Sequence, residues 1–365
     1  MLIRDAITMA SAIANSKSPS PILATVRVSD RRVTATSLDH QLDIGVDLPP
    51  EVANRAFCVH AARLVKILKC LPEGQELQLD VSVDGELRVI AGPTRFELHT
   101  LAAEDFPEIA DAHLSDAALT VNTKPLITAL KMIAPAMAEA DIRFFLNGAH
   151  LIVGAGSLQI TATDGQRLHR ARVPLEPDAK RATVTGIIHR DAVPRILDLA
   201  GRHSSIVLDL TPRVLIVDGG GVQAEALVTK LVDGTYPDAD RVIPKDRPAT
   251  AGVAREAFSE AIQRVAQIYT ASEGTGVRCT FTRDRITLAC TNKEGERATE
   301  DFEWNVSGKT FTALEISFQW RFLTDALDAL DGQRVHLHLP ENTNESLYLT
   351  SEDGDQHAVV MPLRD

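Results

Sequence analysis

Three stretches of this chain echo one another at spacings of 127 and 128 residues, and that recurrence limits its architecture more than any other feature. Val33-Thr34-Ala35-Thr36-Ser37-Leu38-Asp39 returns as Ile160-Thr161-Ala162-Thr163-Asp164-Gly165 and again as Ile286-Thr287-Leu288-Ala289-Cys290-Thr291-Asn292, with Thr36, Thr163 and Thr291 in register. An apolar helical run closed by glycine recurs in the same order: Leu64 to Leu68 before Gly74, Val193 to Leu197 before Gly201, Phe322 to Ala329 before Gly332. A third echo closes each unit, in Phe106-Pro107-Glu108-Ile109, Tyr236-Pro237-Asp238-Ala239 and Val360-Met361-Pro362-Leu363. Solenoid repeats run to about 20–50 residues, so a period this long belongs to tandem copies of a whole domain. A third of 365 residues is long enough to bury a core of its own.

Each unit reads as helix, meander, helix, meander. Apolar residues at helical spacing open the units: Ile7, Met9, Ala10 and Ile13; Leu126, Ile127, Leu130 and Ile133; Phe258, Ile262, Val265 and Ile268. Six helices are predicted, over 4–17, 59–70, 124–138, 189–202, 254–268 and 316–330. Between them lie short alternating segments such as Leu158-Gln159-Ile160-Thr161-Ala162, parted by turns at Ser29-Asp30-Arg31, Gly154-Ala155-Gly156, Asp218-Gly219-Gly220-Gly221 and Glu352-Asp353-Gly354-Asp355. The expected fold is α+β, three tandem helix-plus-antiparallel-sheet domains. Their expected spans are 1–115, 116–245 and 246–365, with Pro244-Lys245-Asp246-Arg247-Pro248 as a linker.

No apolar run approaches the roughly 20 residues a spanning helix needs, and Met1-Leu2-Ile3-Arg4-Asp5 lacks a signal-peptide core, so a soluble cytoplasmic protein is expected. Cys58, Cys70, Cys279 and Cys290 lack the spacing of zinc or redox sites. The formal charge of −12 argues against nucleic acid until its placement is examined. The six predicted helices together carry +6, which leaves −18 on everything else. Positive charge is segregated onto helices.

Several fragments imitate catalytic motifs. Val153-Gly154-Ala155-Gly156-Ser157-Leu158 lacks the third glycine and the helix of a dinucleotide fingerprint, and Gly219-Gly220-Gly221 lacks the ending of a phosphate loop. His189-Arg190-Asp191 stands without the rest of a kinase signature, no serine sits in a nucleophile elbow, and the histidines form no HxxxH or HExxH pair. A non-catalytic scaffold needing neither cofactor nor metal fits better than an enzyme with a site at a domain junction.

Longer matches point to a family. Ile160-Thr161-Ala162-Thr163-Asp164-Gly165-Gln166-Arg167-Leu168, Lys230-Leu231-Val232-Asp233-Gly234-Thr235-Tyr236-Pro237-Asp238, Arg241-Val242-Ile243-Pro244-Lys245 and Val359-Val360-Met361-Pro362-Leu363-Arg364 resemble the bacterial sliding clamp, the beta subunit of DNA polymerase III. Leu71-Pro72-Glu73-Gly74 and Asp141-Ile142-Arg143-Phe144-Phe145-Leu146-Asn147-Gly148 are similar to it as well. The resemblance implies a head-to-tail homodimeric ring of six domains around duplex DNA, with helices lining the hole. Such a ring confers processivity by tethering the replicative polymerase. Its implied partners are the polymerase III alpha subunit, the clamp loader, and other polymerases and repair proteins that carry clamp-binding motifs.

Residue by residue, the resemblance implies a partner-peptide groove at Leu146, Thr163, Gly165, Gln166, Arg167, Leu168, Pro237, Arg241, Val242, Gln319, Phe322, Ser346, Val359, Val360, Met361, Pro362, Leu363 and Arg364. Leu168, Val242, Val360 and Met361 would floor it, while Arg167, Arg241 and Arg364 would meet peptide oxygens. DNA-facing positions are Lys17, Lys66, Lys69, Lys124, Lys131, Phe144, Phe145, Arg195 and Arg202. Phe106 would pack across the subunit interface on Ile268 and Tyr269. Phe144-Phe145 stands where the family often has tyrosines, Gly274 where a longer side chain may border the groove, and Asp365 where the family ends apolar. These departures keep open an alternative, a specialised second clamp with an altered partner set for repair or drug tolerance.

Overall fold

The structure, a computed structural model, describes residues 2–364 except 49, 73–76, 83–84, 111–112, 155, 177–181, 222–223, 246, 248, 271–275, 305 and 309–312. Gly74, Ala155, Gly274 and Asp365 therefore lie outside the described residues, as do Asp246 and Pro248 of the predicted linker. Seven α-helices occur among the described residues: α1 Ile3–Ala10, α2 Pro50–Ala53, α3 Ala61–Cys70, α4 Thr123–Ile133, α5 Ala192–Ala200, α6 Arg255–Ala266 and α7 Trp320–Ala329. Each of the six predicted segments overlaps one, with α1 and α4 starting one residue early, and α2 is additional.

Helix ends follow local chemistry. α1 stops at Ala10 and not at residue 17. Beyond it the Ser11 hydroxyl donates to the Thr8 carbonyl at 2.7 Å and the Asn15 side chain accepts the Lys17 amide at 3.1 Å, competing with a helical ladder. Pro135 turns the end of α4 into the 3-10 segment Ala134–Ala136. Residues 316–319, predicted as helix, belong to the strand Leu314–Gln319. Ile316 and Phe318 face inward there with Ser317 and Gln319 less buried, a period of two. Gln319 then caps α7, its side-chain oxygen accepting the Arg321 amide at 2.9 Å.

The chain folds as two compact units. The first comprises residues 1–123 and 194–231. Its 11 strands form one antiparallel sheet in which Gln78–Val81, Glu86–Ala91, Thr94–Leu101, Phe57–His60, Thr25–Ser29, Arg32–Thr36 and His40–Gly45 run on into Glu225–Lys230, Val214–Asp218, Ser205–Leu210 and Leu119–Asn122. Strands of the first and second repeats thus share a sheet, joined by the register His40↔Thr229 to Ile44↔Glu225. Asp30 and Arg31, with φ of 48° and 59°, make the tight turn between Thr25–Ser29 and Arg32–Thr36. α1 and α3 pack together, burying Ile7, Leu64 and Leu68, each worth about 1.5–3 kcal/mol.

The second unit comprises residues 124–193 and 232–365. A 9-stranded antiparallel sheet runs Val184–His189, Gly148–Val153, Ser157–Thr163, Arg167–Pro174, Gln356–Val360, Leu347–Ser351, Arg334–Leu339, Ala249–Ala254 and Val306–Gly308. A 4-stranded sheet holds Arg297–Glu303, Arg285–Thr291, Gly276–Phe281 and Leu314–Gln319. α6 packs on α7, and Phe258, Phe281 and Phe318 are among the largest fully buried side chains.

Candidate partner-peptide groove

The groove residues all belong to the second unit, and four short segments, with the strand Gln356–Val360, carry all of them but the buried Leu146 and Ser346. The first is the loop between Ser157–Thr163 and Arg167–Pro174. Asp164 organises it: one carboxylate oxygen accepts the amides of Gln166 and Arg167, both at 2.9 Å. Thr163 closes it by donating to the Arg167 carbonyl at 2.6 Å and accepting the Gly165 amide at 3.1 Å. Gly165 has φ of 91°, a left-handed conformation that favours glycine.

The second segment is Met361 to Arg364. The strand before it pairs with Arg167–Pro174, Arg167 opposite Val360. The Met361 amide donates to the Gln166 carbonyl at 2.9 Å, Pro362 bridges to Phe318, and the Leu363 amide donates to the Ser317 carbonyl at 2.8 Å. A recess of about 420 Å³ opens beside these residues, with Arg278, Glu315 and Asn344 in its wall.

Tyr236 to Ile243 is the third. The Tyr236 hydroxyl oxygen accepts the Thr163 amide, and the Asp238 side chain caps the 3-10 turn Ala239–Arg241. Ala239 packs with Leu168 and Val359, and Ile243 and Tyr348 lie against them. Val242 is 45 % exposed, and Arg241 reaches into solvent with Asp238 at 3.2 Å.

The fourth is the start of α7. The Arg167 guanidinium lies 4.3 Å from the centre of the Phe322 ring, donates to Asp164 at 3.0 Å and to Asp325, and is 12 % exposed. Asp164, Arg167 and Asp325 also border a recess of about 540 Å³ with Asp141 and Arg190.

The residues divide by exposure. Gly165, Gln166, Pro237, Arg241, Val242, Leu363 and Arg364 are exposed, and Thr163, Arg167, Gln319, Phe322, Met361 and Pro362 are half-buried. Leu146, Leu168, Ser346, Val359 and Val360 are buried. Leu168 and Val360 therefore support the surface from beneath, and the apolar side chains a ligand can touch include Val242 and those of the Met361 to Leu363 segment. Asp164 and Tyr236, which the sequence motifs contain, and Asp325, Arg278 and Asn344 were not among the predicted groove residues. Asp164, three residues before Arg167, and Tyr236, next to Pro237, carry a local signal, and the other three do not.

With this geometry in place, likeness to known proteins is decisive. Profiles of the DNA polymerase III beta subunit match residues 2–110 as its N-terminal domain, 120–238 as its central domain and 240–364 as its C-terminal domain. The chain belongs to the DNA polymerase III beta subunit family. A beta sliding clamp from Caulobacter vibrioides is 31% identical over 360 residues, covering 94% of this chain and 92% of the relative. The crystal structure of DNA polymerase III subunit beta from Pseudomonas aeruginosa superposes with a TM-score of 0.89 at 26% identity, covering 99% of this chain and 98% of that one. A second Pseudomonas aeruginosa structure, a sliding clamp bound to griselimycin, gives a TM-score of 0.90 at 26% identity over 100% and 97% of the two chains.

In a chain of this family the remaining predicted positions acquire distinct surroundings. Lys66 and Lys69 are exposed on α3, where Arg63 accompanies them without an acidic residue, and Lys124 and Lys131 are exposed on α4, also without one. Lys17 is exposed in a turn past α1. Phe144 is 52 % exposed, while Phe145 packs against Leu146, Ile187 and Tyr236. Arg195 is half-buried on α5. Arg202, past the end of α5, holds Asp198 at 2.7 Å and the buried Glu225 at 2.6 Å, so its charge is neutralised within the chain.

Phe106 lies inside the first unit, buried with Cys58 and Ala103 beneath the Arg27 guanidinium. Ile268 and Tyr269 are half-buried past α6, and the Tyr269 hydroxyl donates to the Gly276 carbonyl. No helix among the described residues is long and apolar enough to cross a membrane.

Proposed function

We propose that this chain is a DNA sliding clamp, a non-catalytic scaffold that encircles duplex DNA as a homodimeric ring and tethers the replicative polymerase and other partners by short peptides. One observation carries the reading: three successive beta-subunit domain profiles match residues 2–110, 120–238 and 240–364, in the order of the family. Domain spans of 1–115, 116–245 and 246–365 follow from the repeat spacing and lie close to those matches.

Lys66 and Lys69 on α3 and Lys124 and Lys131 on α4 are the proposed DNA-facing cations, because their charge is exposed and has no acidic neighbour on the same helix. Contacts of this kind reach phosphates and not base edges, which suits sliding. The acidic remainder of the chain disfavours DNA elsewhere. Ile268 and Tyr269 are proposed at the subunit junction, and Phe106, buried with Cys58 and Ala103, is proposed to support that junction from within the first unit.

The groove suits a peptide with an apolar anchor. Val242, Met361 and Leu363 give adaptable apolar surface, and Arg241 and Arg364 stand exposed to meet acidic or carbonyl oxygens. Griselimycin, which the Pseudomonas aeruginosa clamp binds, is a ready probe for the same chemistry here.

The test is topological. After loading onto nicked circular DNA, the protein is expected to stay on the circle through gel filtration and to be lost when the circle is cut. Equal retention on circular and linear DNA would sink the reading.

A further inference from the structure

We infer that Arg167 is a positioning residue that fixes the 164–166 loop against helix α7, and that Asp325 is the partner through which it does so. This rests on the peptide groove proposed above. The resemblance to the family placed Arg167 among the cations that greet a peptide, yet its surroundings leave little of it to offer. Its Nε donates to Asp164 at 3.0 Å, its Nη1 to Asp325, and its flat face covers Phe322 at 4.3 Å. Phe322 and Asp325 are one helical turn apart, so α7 presents ring and carboxylate to the same guanidinium. The planar fork of arginine suits two carboxylates and a ring at once, which lysine cannot do.

The link spans 158 residues of sequence. At one end is a loop already rigid through the two amides held by Asp164. At the other is a helix whose preceding strand, at Phe318, bridges to Pro362, and Met361 returns to the Gln166 carbonyl. Loop, chain end and helix form a closed circuit of contacts. The spacing between loop and helix is therefore set before a peptide arrives, which removes ordering cost from binding. Exposed cations for a peptide's acidic residues are left to Arg241 and Arg364, the former with an 84 % exposed side chain.

The experiment measures the affinity of full-length variants for two fluorescent peptides. One carries a leucine-phenylalanine anchor with acidic flanks, and the other has the same anchor with the flanks neutralised. Asp325→Asn, Arg167→Gln and Arg167→Lys are each expected to weaken both peptides by the same factor, roughly five- to tenfold. The double variant Arg167→Gln with Asp325→Asn should be no weaker than either single one, and the exchanged pair Arg167→Asp with Asp325→Arg should regain part of the loss. Melting curves confirm that the compared variants are folded. An unchanged affinity in Asp325→Asn, or a loss in Arg167→Gln confined to the acidic peptide, would overturn the inference in favour of direct contact. Val242→Asp serves as the control for the groove: if it binds both peptides normally, the groove is elsewhere and the inference falls with it.

Discussion

The hydroxyl oxygen of Tyr236 accepts the backbone amide of Thr163 at 2.9 Å, joining residues 73 positions apart. Thr163 is the last residue of its strand and the first support of the loop that carries Gly165 and Arg167. The ring of Tyr236 is buried and stacks on His150 at 5.0 Å, and burial pushes its phenol pKa upward. The hydroxyl therefore stays neutral across the working pH range, and its oxygen can accept the amide in either protonation state.

Tyr236→Phe removes the acceptor and keeps the ring. An unsatisfied amide in this half-buried setting costs about 1–3 kcal/mol. Urea denaturation should show a lower midpoint with an unchanged slope, and peptide affinity should fall with it. A variant as stable as the parent would mean that another acceptor takes the Thr163 amide.

Arg202 and Lys66 separate charge engaged within the fold from the exposed charge proposed to meet DNA. Arg202→Ala strands Glu225, whose side chain is 3 % exposed, and should cost about 3 kcal/mol. Lys66→Ala should leave stability within about 0.5 kcal/mol and reduce the salt slope of DNA binding by about 1. The pair is compared by denaturation and by DNA titration at several salt concentrations. An Arg202→Ala protein of normal stability with a reduced salt slope would return Arg202 to the DNA-facing set.

Acid should weaken the second unit. Complete burial lowers the His169 pKa to about 4 although its ring donates to the Met132 carbonyl at 2.8 Å. Burial, aided by His336, Arg247 and His357, lowers that of His338 to about 4. Both are neutral when folded but take up a proton near pH 6.5 when unfolded. Their contribution is complete above pH 6.5 and is lost as pH falls from there toward 4, an effect on the order of 1–3 kcal/mol for the buried His169. Unfolding free energies at pH 7.5, 6 and 5 should decline in that order, and His338→Gln should flatten the decline. A flat profile would show that neither ring is held neutral.

Phe106 and the Ile268-Tyr269 pair should part company in mutagenesis. Phe106→Ala empties a site inside the first unit and should cost about 3–5 kcal/mol of that unit's own stability. Replacing Ile268 and Tyr269 by alanine should instead shift the sedimentation mass from two chains toward one. Two chains persisting at low micromolar concentration in the latter variant would move the proposed interface away from these residues.

The repeats were legible because each echo has a local cause. Thr36, Thr163 and Thr291 each end a strand, Arg32–Thr36, Ser157–Thr163 and Arg285–Thr291, and the apolar runs at Leu64, Val193 and Phe322 fall in α3, α5 and α7. Helix ends were less legible, since Ser11 and Asn15 divert the backbone through side-chain bonds and residues 316–319 are apolar enough to pass for a first turn. Burial at the groove was the least legible. Leu168 and Val360 read as surface from a motif, yet strand neighbours cover them. Nor could sequence show Arg167 meeting Asp325, because that pairing exists only once α7 lies beside the loop.

The position of Gln356–Val360 in the 9-stranded sheet governs the order in which the chain can be built. This strand, late in the sequence, sits between Arg167–Pro174 and Leu347–Ser351. On the ribosome, at about 5–20 residues per second, Arg167–Pro174 must wait with one edge open until almost the whole chain has emerged. During that interval its free backbone groups can pair with another nascent chain. A chain ending before Gln356 would keep that edge exposed for good, a standing template for pairing with a second copy.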